Sequence, residues 1–315
     1  MFSTIKNYIE KSNNIAIFTH INSDCDALGS SIALKLALEN LGKKVQIFVQ
    51  KPIHANYKVI GTAEHVNKDI KTKFDLAIGL DCPDKKRFGI YQKKFESILN
   101  SIAIDHHADF VNFADVNYCD KEASSTCLII FKLLKYLNIN LTSEIAQCLY
   151  AGMATDTGRF LFGNLNKELF NAVGELLETG FDYLNLSYNL FQKQTINEAK
   201  LYQLGLSKLE FFENGKVLFL ILDKDDFDST NTQPNDTYKI LDYMQCIDGV
   251  KICCIATQND DEEFMVSFRS RCINVQKVAK IFGGGGHIKA AGCKIFDRKE
   301  NVKSILIDTC IKMVK

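Results

Sequence analysis

Proline is scarce in this 315-residue chain, at three residues, and no proline-rich or glycine/serine-rich tract interrupts it. A long flexible linker is therefore not expected. Net charge is lacking too: 38 basic residues balance 38 acidic ones. The balance also holds locally, with 21 basic against 22 acidic residues before Lys200 and 17 against 16 from it onward. This excludes a polybasic binder of long nucleic acid, whose affinity rests on many phosphate contacts. A short or small anionic substrate, gripped by a few local charges, fits better. No uncharged apolar run approaches membrane-spanning length, and the opening FSTIKNYIEKS holds no apolar signal region, so no membrane association is expected. CxxC pairs are missing as well. The eleven cysteines are scattered apart from Cys253-Cys254, which reads as reduced, mostly buried thiols in a cytoplasmic protein.

Turning to what is there, the length favours two domains. IAIFTH (Ile15 to His20), VQIFVQ, FDLAIGLD ending at Asp81 and SIAIDHH ending at His107 predict strands. DALGSSIALKLALENLG predicts an amphipathic helix closed by Gly42. Strands alternating with helices imply βαβ units and a mostly parallel sheet, an α/β fold. Helical patterns dominate from Ala123 to Asn197. Strand-like runs around Asn214-Gly215 then predict a hairpin, followed by VKICCIATQ, EFMVSFRS, the helix pattern NVQKVAKIF and the run GGGGH. The domain boundary falls between Tyr188 and Leu206, inside a helical connector.

Several of these apolar runs end in acids and imidazoles: His20 with Asp24 and Asp26 in the next loop, Asp81, then Asp105, His106 and His107. In open α/β sheets the carboxyl ends of strands form the ligand crevice. Asp24, Asp26, Asp81 and Asp156 of ATDTG would concentrate four negative charges there, which two divalent cations would cancel. Mixed oxygen and imidazole donors suit Mn²⁺, with Mg²⁺, Co²⁺ or Fe²⁺ as substitutes, rather than structural zinc. For any single aspartate a cap or loop role is the commoner one, and Asp26 could cap the helix it precedes. The recurrence of such residues at successive strand ends tips the balance towards a metal site.

HINSDCDALGS resembles the first motif of the DHH phosphoesterases, LDCPD the second, IDHH the third and ATDTG the fourth. FRSRCINVQKVAKIFGGGGHIKAAG resembles the signature of the DHH-associated C-terminal domain. The motifs run in the expected order over nearly the whole chain, which is most similar to the nanoRNase/pAp-phosphatase (NrnA-type) subfamily. The resemblance implies a catalytic domain over 1–188 with a mostly parallel sheet flanked by helices. A connector over 189–206 and a smaller α/β substrate-binding domain over 207–315 would follow, with the active site in the cleft between the domains. It implies one metal ion on His20 and Asp24, another on Asp26, His106 and Asp156, and Asp81 bridging both. His107 would face the substrate phosphate and Asp105 would orient the imidazoles. The implied activity is hydrolysis of short oligoribonucleotides to mononucleotides, and of pAp to AMP and phosphate. A linear or cyclic dinucleotide phosphodiesterase, a RecJ-like exonuclease and, outside enzymes, a nucleotide sensor are the alternatives. Short RNA or DNA oligonucleotides or small nucleotides are the implied partners, and a homodimer is allowed.

Ser23 stands where the family commonly has proline, which predicts a less stiff loop, and Cys25 and Cys82 adjoin ligand positions as packing residues. Between Phe264 and Phe296 six basic residues face no acid. Within that stretch Arg269 suits bidentate phosphate contact, and Gly284, Gly285 and Gly286 let backbone N–H groups approach an anion. His287, Lys289 and a tight turn at Ala290-Ala291-Gly292 complete the expected phosphate grip. Lys85-Lys86-Arg87 reads as a solvated loop. Ser124-Ser125-Thr126 reads first as a helix cap and second as an anion-binding helix start.

Overall fold

The structure, a computed structural model, describes all residues except Lys71 and His287. It divides into two compact units, Met1–Lys193 and Gln194–Lys315. No helix among the described residues is long and apolar enough to cross a membrane.

The first unit is built on β1 (Asn14–Phe18), β2 (Lys44–Phe48), β3 (Leu76–Leu80), β4 (Asn100–Asp105) and β5 (Val116–Cys119), all parallel, in the order β2-β1-β3-β4-β5. The first four lie where the apolar runs predict strands. β5 has no such signal, because VNYC is short and mostly half-buried at the sheet edge.

Alternation along β1 sends Ile15 and Ile17 to one face and Ala16 and Phe18 to the other. The first face packs under helices Cys25–Asn40, Thr126–Tyr136 and Ser143–Asp156. Thirteen of the sixteen residues of Cys25–Asn40 are buried, so this helix is central rather than amphipathic as its pattern predicts. The second face carries an aromatic cluster instead. Phe18 stacks on Phe48 with centroids 5.1 Å apart and meets Phe95 edge-on at 5.4 Å. Phe88, from the 3₁₀ segment Lys85–Tyr91, fills the space over Gly79, where a Cβ would lie 2.7 Å from its Cζ.

In the second unit the helix Ile196–Ser207, started by a Thr195/Glu198 capping box, leads into a six-stranded sheet. Its strands are β6 (Glu210–Phe212), β7 (Val217–Leu222), β8 (Ile252–Asp260), β9 (Glu263–Arg269), β10 (Gly285–Gly286) and β11 (Ala290–Phe296), in the order β10-β11-β9-β8-β7-β6. Only the β7–β8 pair is parallel. The β6–β7 hairpin turns through left-handed Glu213, Asn214 and Gly215.

The expected turn at Ala290-Ala291-Gly292 is instead the start of β11. These small residues sit in a ladder between β9 and β10, and a Cβ on Gly292 would come 2.8 Å from the Val266 carbonyl oxygen. Close strand approach, not chain reversal, is their reason for being small.

Replacing Gly79 by alanine should overpack the aromatic face and cost about 1–3 kcal/mol. Adding Phe88→Leu should recover part of the loss, since the two sites share one volume. Additive losses in the double variant, measured by denaturant titration, would contradict this account.

Candidate metal centre

The strand order reverses around β1, which places the carboxyl ends of β1, β3 and β4 side by side. His20 follows β1, Asp81 follows β3, and Asp105 ends β4 with His106 and His107 behind it. Asp24 and Asp26 come from the start of helix Cys25–Asn40, and Asp156 ends helix Ser143–Asp156.

Their donor atoms fall into three overlapping groups: His20, Asp24 and Asp81; Asp26, His106 and Asp156; and Asp81, Asp105, His106 and His107. In the first, His20 Nε2 lies 3.9 Å from Asp24 Oδ1 and 3.7 Å from Asp81 Oδ2. In the second, His106 Nε2 lies 4.0 Å from Asp26 Oδ2 and 3.5 Å from Asp156 Oδ2. The same nitrogen is 3.6 Å from Asp81 Oδ1. One Asp81 oxygen thus faces each of the first two groups. Ligands bound at about 2.1 Å from one ion stand roughly 3–4 Å apart, so these spacings fit divalent cations.

The Asp81 backbone is left-handed, with φ 54°, a conformation that aspartate adopts more readily than most residues. Its N–H still donates to the Ile104 carbonyl at 3.0 Å. Asp24, rather than Asp26, is the helix cap: its Oδ1 accepts from the N–H groups of Asp26 and Ala27 at 3.1 and 3.0 Å. Asp26 points away from that role. Its two oxygens accept from the N–H groups of Thr126 and Cys127, at 2.7 and 2.8 Å. Of the two roles open to the Ser124-Ser125-Thr126 stretch, both are filled. Ser125 caps the helix through Leu128 N–H, and the anion at the helix start is the protein's own Asp26.

Burial acts differently on neighbouring groups. It pushes the Asp26 and Asp156 carboxyls well up, aided for Asp26 by Asp81 and Asp156, and for Asp156 by Asp24 and Asp81. Burial would raise Asp81 as well, but the surrounding imidazoles of His20, His106 and His107 hold it below its usual range. His107 is raised to about 9, because its bond to Asp105 and the nearby Asp81 outweigh the effect of burial. His20 is raised by Asp81 and Asp24 against its own burial. Asp105 Oδ1 accepts from His107 Nδ1 at 2.7 Å and from both backbone N–H groups of His106 and His107, at 2.7 and 3.2 Å. Its buried Oδ2 has no hydrogen-bond partner among the described residues.

The loop after β1 is tied down despite the serine. Ser23 Oγ donates to the His20 carbonyl at 2.6 Å and pairs with Thr19 Oγ1 at 2.7 Å, so side-chain bonds replace the missing ring's stiffness. Cys25 and Cys82 are buried outside the three donor groups, and burial raises both thiols. Cys82 Sγ donates to the Asp84 carbonyl at 3.1 Å. Pattern reading missed Cys127 as a site residue, and it missed the partners, though not the positions, of Thr126 and Ser23.

The expected phosphate grip lies in the second unit, except for His287, which is outside the described residues. Arg269 pairs with Ala290, and Gly286 with Ala291, which brings Arg269, Gly286 and Lys289 to one end of the sheet. The Arg269 guanidinium donates to the Phe268 carbonyl at 3.0 Å, and Lys289 is exposed. Gly284 and Gly286 owe their identity to packing, since a Cβ there would strike β11. Gly285 has open space around its Cβ position.

The model of the DHH family N-terminal domain matches residues 14–153, and that of the DHHA1 domain matches 214–314. The chain carries a DHH family N-terminal domain and a DHHA1 domain. It is 29% identical over 300 residues to the probable bifunctional oligoribonuclease and PAP phosphatase NrnA of Streptococcus mutans, covering 95% of each chain. An exopolyphosphatase-related protein from Bacteroides fragilis has the same fold, with a TM-score of 0.91 at 23% identity, over 99% of this chain and 95% of that one. The exonuclease RecJ bound to manganese is more distant, with a TM-score of 0.55 at 14% identity over 98% of this chain and 92% of that one.

In the cation-free protein His20, His107, Asp26 and Asp156 all hold protons more tightly than they would unfolded. Stability must then fall as pH rises, because the folded state binds more protons. The His107 contribution is complete below 6.5 and is lost as pH passes about 9. Asp81 has the opposite sign and acts only in acid. Melting in chelator should therefore drop between about pH 6.5 and pH 9, and a divalent cation should offset the drop. A melting temperature that rises over this window in chelator would refute the assignment.

Proposed function

We propose that this chain is a two-metal phosphoesterase that hydrolyses short oligoribonucleotides to mononucleotides and pAp to AMP and phosphate. The observation that carries the reading is Asp81, whose two oxygens face separate donor groups. His20 and Asp24 would hold one ion, Asp26, His106 and Asp156 the other, and Asp81 would be shared between them. Mn²⁺, or Mg²⁺ or Co²⁺ in its place, would supply Lewis acidity there and lower the pKa of water.

The protein's own groups complete the chemistry. Asp105 fixes the His107 ring through Nδ1. The same Asp105 contact favours the protonated imidazole, the form suited to hold a phosphoryl oxygen as negative charge builds on it. Arg269, Gly285 and Lys289, with His287, would grip a second phosphate or the base away from the scissile bond. Such remote contacts position the substrate and are partly expressed in the rate. The name of the Streptococcus mutans relative supports this choice of substrate.

The test is to incubate the protein with Mn²⁺ and a ladder of short RNAs, pAp and cyclic dinucleotides. Cleavage of the cyclic dinucleotides alone would overturn the reading. Asp81→Asn should lose turnover on every substrate. Arg269→Ala should impair short RNA and pAp strongly but spare bis-p-nitrophenyl phosphate, which has no second phosphate to grip. An equal loss on both would make the second unit mere support.

A further inference from the structure

Thr126 is fully buried in the first turn of helix Thr126–Tyr136, yet its hydroxyl does not cap that helix, since Ser125 already does. The Thr126 Oγ1 donates instead to Asp81 Oδ1 at 2.8 Å, and its backbone N–H donates to Asp26 Oδ2 at 2.7 Å. One residue therefore reaches a carboxylate of each metal group. A hydroxyl has one hydrogen and a carboxylate only accepts, so that hydrogen is committed to Asp81. The contact is shorter than the distances from Asp81 to the imidazoles of His20, His106 and His107, which are 3.7, 3.6 and 3.7 Å.

The carboxylate needs such a partner. Rotation about the terminal bond of an aspartate is broad and roughly two-fold, so the left-handed backbone at Asp81 does not by itself decide which way the oxygens turn. The helix that supplies Thr126 is anchored independently, by its contacts with helices Cys25–Asn40 and Ser143–Asp156. Gly152 on the latter leaves room for it: a Cβ there would lie 2.8 Å from Asp26 Oδ1 and 2.2 Å from Cys127 Sγ.

We propose that Thr126 is a positioning residue that sets the rotation of the Asp81 carboxylate, so that one oxygen faces each donor group. This rests on the two-metal reading of the same site. It assigns to the helix start two separable tasks: the backbone N–H groups hold Asp26, and the hydroxyl orients the bridge.

The test compares Thr126→Val, which keeps shape and N–H but loses the hydroxyl, with Thr126→Ser, which keeps the hydroxyl. Mn²⁺ affinity and the paramagnetic resonance of the bound ions are read on the full chain. Thr126→Val should weaken Mn²⁺ binding about tenfold, as loss of a ligand's hydrogen-bond partner does, and should reduce the magnetic coupling between the ions. Thr126→Ser should keep both near wild type. Wild-type affinity and coupling in Thr126→Val would overturn the proposal alone, even if that variant melted lower. Failure of the wild type to take up Mn²⁺ would sink the two-metal reading and this proposal with it.

Discussion

Negative charge gathered where water is scarce is the constraint from which the first unit's architecture follows. Asp26 and Asp81 are 1% exposed and Asp105 is fully buried. Stripping an ionised carboxylate of water costs several kcal/mol unless hydrogen bonds and opposite charge replace it. Each of the three has a different substitute. Asp105 takes two backbone N–H groups and an imidazole, Asp26 takes the start of a helix, where unpaired N–H groups and the helix dipole favour an anion, and Asp81 takes a hydroxyl among three imidazoles. Backbone donors alone do not offset burial and two neighbouring carboxylates, which push the Asp26 carboxyl up. Imidazoles keep Asp81 ionised. Asp81, the proposed bridge, is therefore the carboxylate held most firmly as an anion, whereas burial favours protons on Asp26 and Asp156.

The sheet topology makes this concentration of charge geometrically feasible. Parallel strands align their carboxyl ends, and the reversal between β2-β1 and β3-β4-β5 opens the crevice there. The two faces of the sheet play unequal parts. Helices on one face deliver Asp24, Asp26, Thr126 and Asp156 to the crevice. The aromatic layer on the other delivers no donor to the three groups. It does brace the site, since the 3₁₀ segment holding Phe88 accepts the Ile21 N–H at Arg87 and so fixes the chain just past His20.

Much of this is legible in the chain because parallel strands buried on both faces read as apolar runs, and a polar residue ending such a run is conspicuous. Ile15 to His20 and the run to Asp81 are of that kind. Part of what pattern reading misses is due to distance along the chain. Thr126 and Asp26 are 100 residues apart, and nothing local distinguishes a helix start that binds a foreign anion from one that binds its own carboxylate. The choice between Asp24 and Asp26 as cap turns on two residues of helix boundary, the least certain feature of any such pattern. Ala290-Ala291-Gly292 misleads because small residues serve turns and close strand contacts alike.

The glycine run of the second unit shows how the same ambiguity resolves once packing is known. Gly283 is left-handed just past the helix Val275–Ile281, as a helix end commonly requires. Gly284 and Gly286 lie so near β11 that any side chain would strike its backbone. Three of the four glycines are thus demanded by the fold, and a run read as a phosphate cradle is mostly a device for bringing β10 against β11. Gly285 differs. It is exposed, its φ is not left-handed, and a Cβ would meet nothing within 4 Å. Nothing among the described residues of its unit asks for glycine there, so the case for close approach by an anion narrows from three residues to this one. It gains weight from the sheet register, which sets the basic Arg269 and Lys289 at the same end.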